Sequence, residues 1–571
     1  MPSGRPRIFK SIGIVLAAAV LAAAFLLVWT GLPASRTQEP NPSWRTPATA
    51  VGAFHVHTIR SDGSGTPDEV AAAAARAGLQ FVIFTDHGDG TRPPDSPRYR
   101  SGVLCLDAVE ISTTDGHYIA LGLAPTPYPL GGEGRDVVED VRRFGGFGIV
   151  AHPDSAKPSL RWFDWTAPFD GIEWLNADSE WRDETREQLG RSLAVYPFRP
   201  IETLGSLLDR SDQTFARWDA LLQRRRVVAL AGADAHARVG TQENEATGNR
   251  SGWFVRIPSY EVSFRTFALR VTLAQPFSGE ASGDAEQLLA AIKSGHAYSA
   301  IDAIATPAAL DFTAASRAAS AREGDRLSSG AGPITFSARV NAPTGGAIVL
   351  WKDGKILTQH PVPALTYDSD GADGAYRVEV YLSNSPGQPP VPWIASNPIY
   401  VRPPEWGQPF TTPTQEAVDT WPIQGGPWHV EKDAASTAQV TAPSPTAPVE
   451  FSYRLAGTAT NSPYAALVVP VGNALTGHAR LAFRASSLKP MRISVQARRP
   501  SPGDRWQRSI YLDESPRDVI VRFSDMKPVG MTPTFKFDPA QIDTVLFAVD
   551  TTNTAPGSEG KFTISELRVE H

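Results

Sequence analysis

Cysteine is almost missing from this chain: Cys105 is the only one in 571 residues. A disulfide framework is therefore excluded, and so is a metal site built from several thiolates. Basic charge is not in surplus either. Lys and Arg number 54 against 60 Asp and Glu, a net charge of −6. The chain thus lacks the electrostatic footprint of a nucleic-acid binder, and no nucleic-acid partner is expected. At 42% hydrophobic and 20% charged residues it also lacks the composition of a disordered protein. Glycine (47) and proline (49) are plentiful, which favours loop-rich and all-β parts over helical bundles. The length suits about four units at ~150 residues each.

From Ile12 to Trp29 runs an uncharged stretch of 18 residues, IGIVLAAAVLAAAFLLVW, preceded by Arg5, Arg7 and Lys10. As a helix it is just long enough for a hydrocarbon core of ~30 Å. The preceding basic residues predict a cytoplasmic N-terminus and an extracytoplasmic bulk, in the periplasm or at the cell surface. Residues 1–35 thus read as a signal anchor giving membrane contact. The alternative is secretion after cleavage near Leu32–Ser35, but the run exceeds a usual signal core of ~7–15 residues. Residues 36–50 (RTQEPNPSWRTPATA) read as a polar, proline-rich tether.

Across 51–305, apolar runs such as AFHVHT, FVIFTDH, VLCLDAVEIS, GFGIVAHP, GIEWLN and VVALAGADAH read as strands. Pro67–Ala77, Glu133–Phe144, Ser179–Leu193 and Thr214–Arg225 read as helices between them. Alternation of this kind predicts an α/β unit around a mainly parallel sheet or barrel. Beyond it, period-two alternation in ITFSARVNA, AIVLWKDGKIL and AYRVEVYLS predicts a small β-sandwich over 306–403. Further short strands predict a second β-sandwich over 404–571.

Six of the eleven histidines fall between His55 and His236. His55 and His57 lie two apart on one predicted strand, so they share a face. His87, His152 and His236 each end a predicted strand, where parallel barrels build their active sites. Asp62, Glu110 and Asp234 join the same positions. Imidazoles and carboxylates without thiolates suit zinc, manganese or iron. With His117 these make nine candidate ligands, too many for one ion, so two or three divalent transition metal ions are implied, with Glu110 as the natural bridge. The remaining histidines (His296, His360, His429, His478, His571) are scattered and read as surface or structural residues.

The ordered series His55-x-His57, Ser61-Asp62-Gly63, Thr85-Asp86-His87, Val109-Glu110, His117, Ala151-His152-Pro153 and Asp234-Ala235-His236 resembles the PHP family, the polymerase and histidinol-phosphatase superfamily, over roughly residues 50–305. The resemblance implies a distorted (β/α)7 barrel with a two- or three-metal centre that usually hydrolyses phosphoesters. Carried over motif by motif, it implies His55, His57, Asp62, His87, Glu110, His117, His152, Asp234 and His236 as metal ligands. The amidohydrolase superfamily also opens on HxH, but the Asp234-x-His236 pair and Thr85-Asp86-His87 fit it less well.

Such a centre would activate water for attack on phosphorus. Asp86 beside His87 would orient an imidazole or turn into packing. Arg60 and Arg238, next to ligand positions, are candidate clamps for an anionic substrate. Glu173 and Asn176 end a strand and would line the pocket or cap the next helix. The 306–403 module resembles the β-sandwich that follows the barrel in membrane-linked PHP proteins. The last module resembles galactose-binding-type sandwiches, with Trp406, Trp421, Trp428 and Trp506 as candidate platforms for carbohydrate. Two other functions remain open: hydrolysis of an amide or carbamate bond, and polymer binding by a chain whose barrel is catalytically retired. An intact set of nine ligands argues against retirement.

Overall fold

The structure is a computed structural model that describes residues 18–20, 22, 35–37, 48–240, 254–330, 332–403, 406, 419–423, 427–442, 447–457, 462–500, 503–530 and 536–571. The expected anchor and tether lie largely outside the described residues. Among the described residues no helix is long and apolar enough to cross a membrane.

Seven strand positions close a ring. They are β1 (Thr49–Val56), β2 (Phe81–Phe84), β3 (Val103–Asp107) continued past Ala108 as β4 (Val109–Thr113), β5 (Gly116–Leu121), β6 (Phe147–Val150), β7 (Gly171–Asn176) and β8 (Val228–Gly232). β1, β2 and β3 pair in parallel, as do β6, β7 and β8. The chain runs past β8 alongside β1 and seals the ring. There Ala233 N–H donates to the Phe54 carbonyl (2.9 Å), and His57 N–H to that of Ala235 (3.1 Å).

The sheet is not parallel throughout. β5 runs antiparallel to both β4 and β6, because the Thr114–Asp115 turn before it is too short to carry a crossover helix and reverses the chain. The apolar runs fill the ring and its helical coat with one core, in which Phe54, Phe81, Tyr118, Trp162, Ile172 and Leu230 are buried.

Helix α1 (Pro67–Arg76) starts at a capping box between Thr66 and Glu69, with proline in its first turn. Helix α2 (Gly134–Arg143) buries Val137, Val138 and Val141. The single helix expected over Ser179–Leu193 is two, Ala177–Arg182 and Arg186–Val195. Thr185 and Gln188 form a second capping box that starts the chain afresh.

The predicted sequence boundary at 305/306 is crossed by hydrogen bonds. β9 (Ala268–Thr272) pairs with β1, β10 (Ala297–Ala300) pairs with β9, and β10 pairs with Ile394–Ser396 of the first sandwich. Barrel and first sandwich therefore share a sheet and one continuous core. Arg377 adds a buried bidentate pair with Asp219 (2.9 and 2.8 Å).

The C-terminal sandwich is separate. Its two six-stranded sheets enclose their own core around Phe451, Phe483, Val495, Phe547 and Phe562. It meets the barrel through charge. Arg492, 2% exposed at its side chain, contacts both oxygens of Asp140 (2.5 and 3.0 Å) and donates to the Asp136 carbonyl (3.2 Å) on α2. Arg508 also pairs with Asp136 (2.5 Å).

Removing one partner of such a buried pair strands the other charge, at a cost of about 3–5 kcal/mol. Arg492→Met is therefore expected to lower the unfolding midpoint of the full chain in a thermal or denaturant titration. An unchanged midpoint would show that the seam is not a stabilising contact.

Candidate metal centre

Three of the nine expected ligands adopt backbone conformations that regular strands do not allow. His55 has φ +64°, His152 +29° and Asp234 +41°. Each costs of order 1–3 kcal/mol and marks a place where side-chain direction is bought with strain. The strain re-aims the strand ends, and all nine side chains meet at one end of the ring.

Glu110 is the hub. Its carboxylate, 1% exposed, lies among five imidazoles. Oε2 is 3.2 Å from His55 Nε2, 3.2 Å from His57 Nε2 and 3.4 Å from His87 Nδ1. Oε1 is 2.8 Å from His117 Nδ1 and 3.0 Å from His152 Nε2. Asp234 Oδ1 adds contacts to His55 (3.3 Å) and His57 (3.4 Å). On the open side, Asp62 faces His236 Nε2 (3.1 Å), His57 Nδ1 (3.3 Å) and His87 Nε2 (3.6 Å). His55, His57, Glu110 and His152 are buried, whereas Asp62, His87 and His236 are partly exposed.

The residues behind the cluster settle which ring nitrogens face it. His55 Nδ1–H donates to Glu173 Oε1 (2.7 Å), and His152 Nδ1–H to the Leu160 carbonyl (3.0 Å). In each ring Nε2 is then the nitrogen that faces the cluster, as in a histidine whose other nitrogen is anchored behind a metal. Four overlapping sets have ligand atoms within 4.8 Å of one another: His57–Asp62–His87–His236, His55–Glu110–His152, His55–His57–Asp234 and His87–Glu110–His117. His57 Nε2 is buried with no hydrogen-bond partner among the described residues, although two carboxylates lie close. A ring-nitrogen lone pair facing carboxylate lone pairs fits a cation between them better than a protein hydrogen bond. The donor set is nitrogen and oxygen throughout, so the residues fit borderline divalent metals.

Burial alone would raise the Glu110 carboxyl, but His87, His55 and His117 outweigh it and hold it well below the usual carboxylate range. Burial likewise opposes protonation of His236, but Asp62 outweighs it and pushes the imidazole up to about 10. His55 and His57 are also raised against burial, chiefly by Asp234 and Glu173 for His55 and by Asp62 for His57.

The residues assigned to catalysis and the pocket need correction. Glu173 does not line a pocket. It is fully buried beneath the cluster, bonded to His55, to the His152 N–H (2.7 Å) and to Asn176 Nδ2 (2.8 Å). Asn176 accepts from Ser179 N–H (3.0 Å) and so caps the following helix. Asp86 accepts from Thr58 N–H (2.7 Å), Thr58 Oγ1 (2.8 Å) and Ser61 Oγ (2.7 Å). Ser61 in turn accepts from His57 Nδ1–H (3.3 Å), so Asp86 positions His57 rather than His87. Arg60 is taken up by Asp107 (2.8 Å) and Asp95, and Arg238 lies over the Phe254 ring at 4.4 Å. Among the tryptophans, Trp506 is buried at 2% exposure, Trp428 packs on Phe547 and Trp406 on Tyr400; Trp421 is 40% exposed.

Two supports were not foreseen. Tyr260 Oη lies 2.8 Å from the His57 carbonyl and 3.0 Å from that of His236, and accepts from Ser64 N–H, which ties the first and last ligand segments together. Gly232 leaves room for Glu173, since a Cβ there would lie 1.7 Å from Glu173 Oε1. The glycine in ALAGADAH was the one available signal.

No family model matches the chain, and no curated protein matches it. Among solved structures it is similar to a two-domain protein from Bacteroides vulgatus containing a predicted PHP-like metal-dependent phosphoesterase. The identity is 13%, over 64% of this chain and 98% of that one, with a TM-score of 0.29. It is also similar to the family 11 carbohydrate-binding module of a cellulosomal cellulase of Clostridium thermocellum. There the identity is 18%, over 27% of this chain and 94% of that one, with a TM-score of 0.22.

Because the raised imidazoles hold their protons to higher pH, a metal must displace protons, and that competition relaxes as pH rises. Metal titration at pH 7 is expected to release protons, and apparent affinity to increase with pH. Calorimetry in buffers of different ionisation heat reads this; buffer-independent heats would contradict it. Glu173→Gln is expected to weaken metal binding by about 10–100-fold, measured by competition with a chelating dye.

Proposed function

We propose that this chain is a metal-dependent phosphoesterase, extracytoplasmic and tethered to the membrane by its N-terminal apolar run. The observation that carries the catalytic part is the buried Glu110 carboxylate ringed by five imidazoles, with a partly exposed side formed by Asp62, His87 and His236. The tethering part rests on the apolar stretch 12–29 and the basic residues before it.

Two or three cations would be held by the four overlapping sets, His55–His57–Asp234, His55–Glu110–His152, His87–Glu110–His117 and His57–Asp62–His87–His236. Two or three divalent cations there supply Lewis acidity, which acidifies water and neutralises charge developing on phosphoryl oxygens. The protein's own part is positioning. Glu173 and the Leu160 carbonyl fix the tautomers of His55 and His152. Asp86, through Ser61, fixes His57, and Tyr260 locks the two segments that carry His57 and His236. The partly exposed side is where a phosphoester would enter.

Hydrolysis of an amide or carbamate would use the same polarising centre, so a substrate panel decides between them. The chain supplied with manganese or zinc is expected to hydrolyse p-nitrophenyl phosphate or its diester. Glu110→Gln is expected to lower kcat/KM by about 10²–10³-fold or more, with the circular-dichroism spectrum unchanged. Undiminished turnover in Glu110→Gln sinks this reading. Turnover of an aryl amide with none of either phosphoester favours the amidase.

A further inference from the structure

The Thr114–Asp115 turn, which joins the strand of Glu110 to the strand of His117, reaches beyond the metal-bearing rim and forms part of the wall of a second concavity. This is an open cleft of about 1180 Å3 between the barrel and the C-terminal sandwich. Pockets for drug-sized ligands run to roughly 300–1,000 Å3, so this one has room for an extended molecule.

Its lining is of three kinds. Phe163, 55% exposed, is its accessible aromatic ring, while Phe537 packs on Trp506 and Phe523 at the edge. Arg522 and Lys536 stand on the wall as exposed cations, Arg480 is paired with Glu570 (2.9 Å), and Asp115, Glu133 and Gln507 add carboxylate and amide oxygens. At one end His478 and His571 stack at 5.0 Å with Trp421 against both (4.8 and 4.7 Å). Two of the five histidines that looked scattered in sequence thus meet, and Trp421 is the exposed member of the four tryptophans. Two polar atoms of the wall, His478 Nδ1 and Glu133 Oε1, are buried without a hydrogen-bond partner among the described residues. Lys527 crosses the floor to Asp115 (3.2 Å) and Glu133 (3.3 Å), so both protein units shape it.

We propose that this cleft binds an oligosaccharide. A sugar ring has an apolar face that stacks on aromatic rings and hydroxyls that both donate and accept. Phe163, Arg522, Lys536, Asp115 and Glu133 present that combination. A polyphosphate backbone would meet the carboxylates of Asp115 and Glu133, and an acyl chain would need a continuous apolar wall.

The wall of the cleft and the metal centre share two backbone segments. Asp115 stands two residues before His117, and the Asp115 carbonyl accepts from Phe163 N–H (2.9 Å) in the segment whose Leu160 carbonyl holds His152. The inference rests on the phosphoesterase reading only for what happens at the metals, where the bond cut would belong to a glycan-linked phosphoester; binding itself does not depend on it.

The test is affinity electrophoresis of the full chain through gels containing, one at a time, a mixed-linkage β-glucan, a mannan, a polyuronate and a sulfated polysaccharide. At least one is expected to retard the wild type. Phe163→Ala and the double variant Arg522→Ala/Lys536→Ala, at exposed positions, are expected to lose that retardation by tenfold or more in apparent Kd. Their hydrolysis of p-nitrophenyl phosphate should stay unchanged, which keeps this reading separable from that of the metal centre. Neutral against charged polysaccharides report the kind of sugar. Retardation by none of the four, or retardation equal in the variants, overturns the proposal.

Discussion

The interaction on which the rest of the site depends is the confinement of the Glu110 carboxylate among imidazoles at almost no exposure. A buried carboxylate is costly unless opposite charge or hydrogen bonds surround it, and here each oxygen faces more than one ring. That requirement explains the irregular strand ends. A regular strand would alternate side chains in and out, whereas positive φ at His55, His152 and Asp234 turns three ligands inward where alternation alone would not aim them. It also explains the break at Ala108, which splits one edge into two strands just before the hub.

Around this hub the supporting shell is as specific as the cluster. Glu173 serves His55, the His152 backbone and Asn176 at once, and Gly232 is small because Glu173 occupies its space. Asp86 reaches His57 only through Ser61. Carboxylates that look catalytic in a list of acids are here the groups that choose tautomers, and the difference is visible only in which atom each one touches.

Much of the site was legible in the sequence because the ligands sit at the ends of short apolar runs. His55-x-His57, Thr85-Asp86-His87 and Asp234-Ala235-His236 advertise their positions by spacing. The supporting residues were less legible, since Glu173 and Asn176 occupy a strand end like any ligand and, apart from each other, their partners are a histidine more than a hundred residues away and backbone N–H groups. The helix break at Thr185 was readable as a second capping box, yet amphipathic periodicity alone runs straight across it. The antiparallel course of β5 was hidden for the opposite reason, because a two-residue turn leaves little trace beside the strong apolar runs that flank it. The stacking of His478, His571 and Trp421 joins three segments far apart in the chain, which no local pattern encodes.

The two β-sandwiches differ in how they are joined, and that difference bears on how such a chain can change over evolutionary time. Because β10 pairs with Ile394–Ser396, the first sandwich completes a sheet that begins inside the barrel; cutting between them would expose a raw strand edge, a template for aggregation. The pair must be inherited together. The C-terminal sandwich has its own core and shares charges with the barrel across the seam, not strands. It is the part that recombination could exchange while the metal-bearing end stays folded.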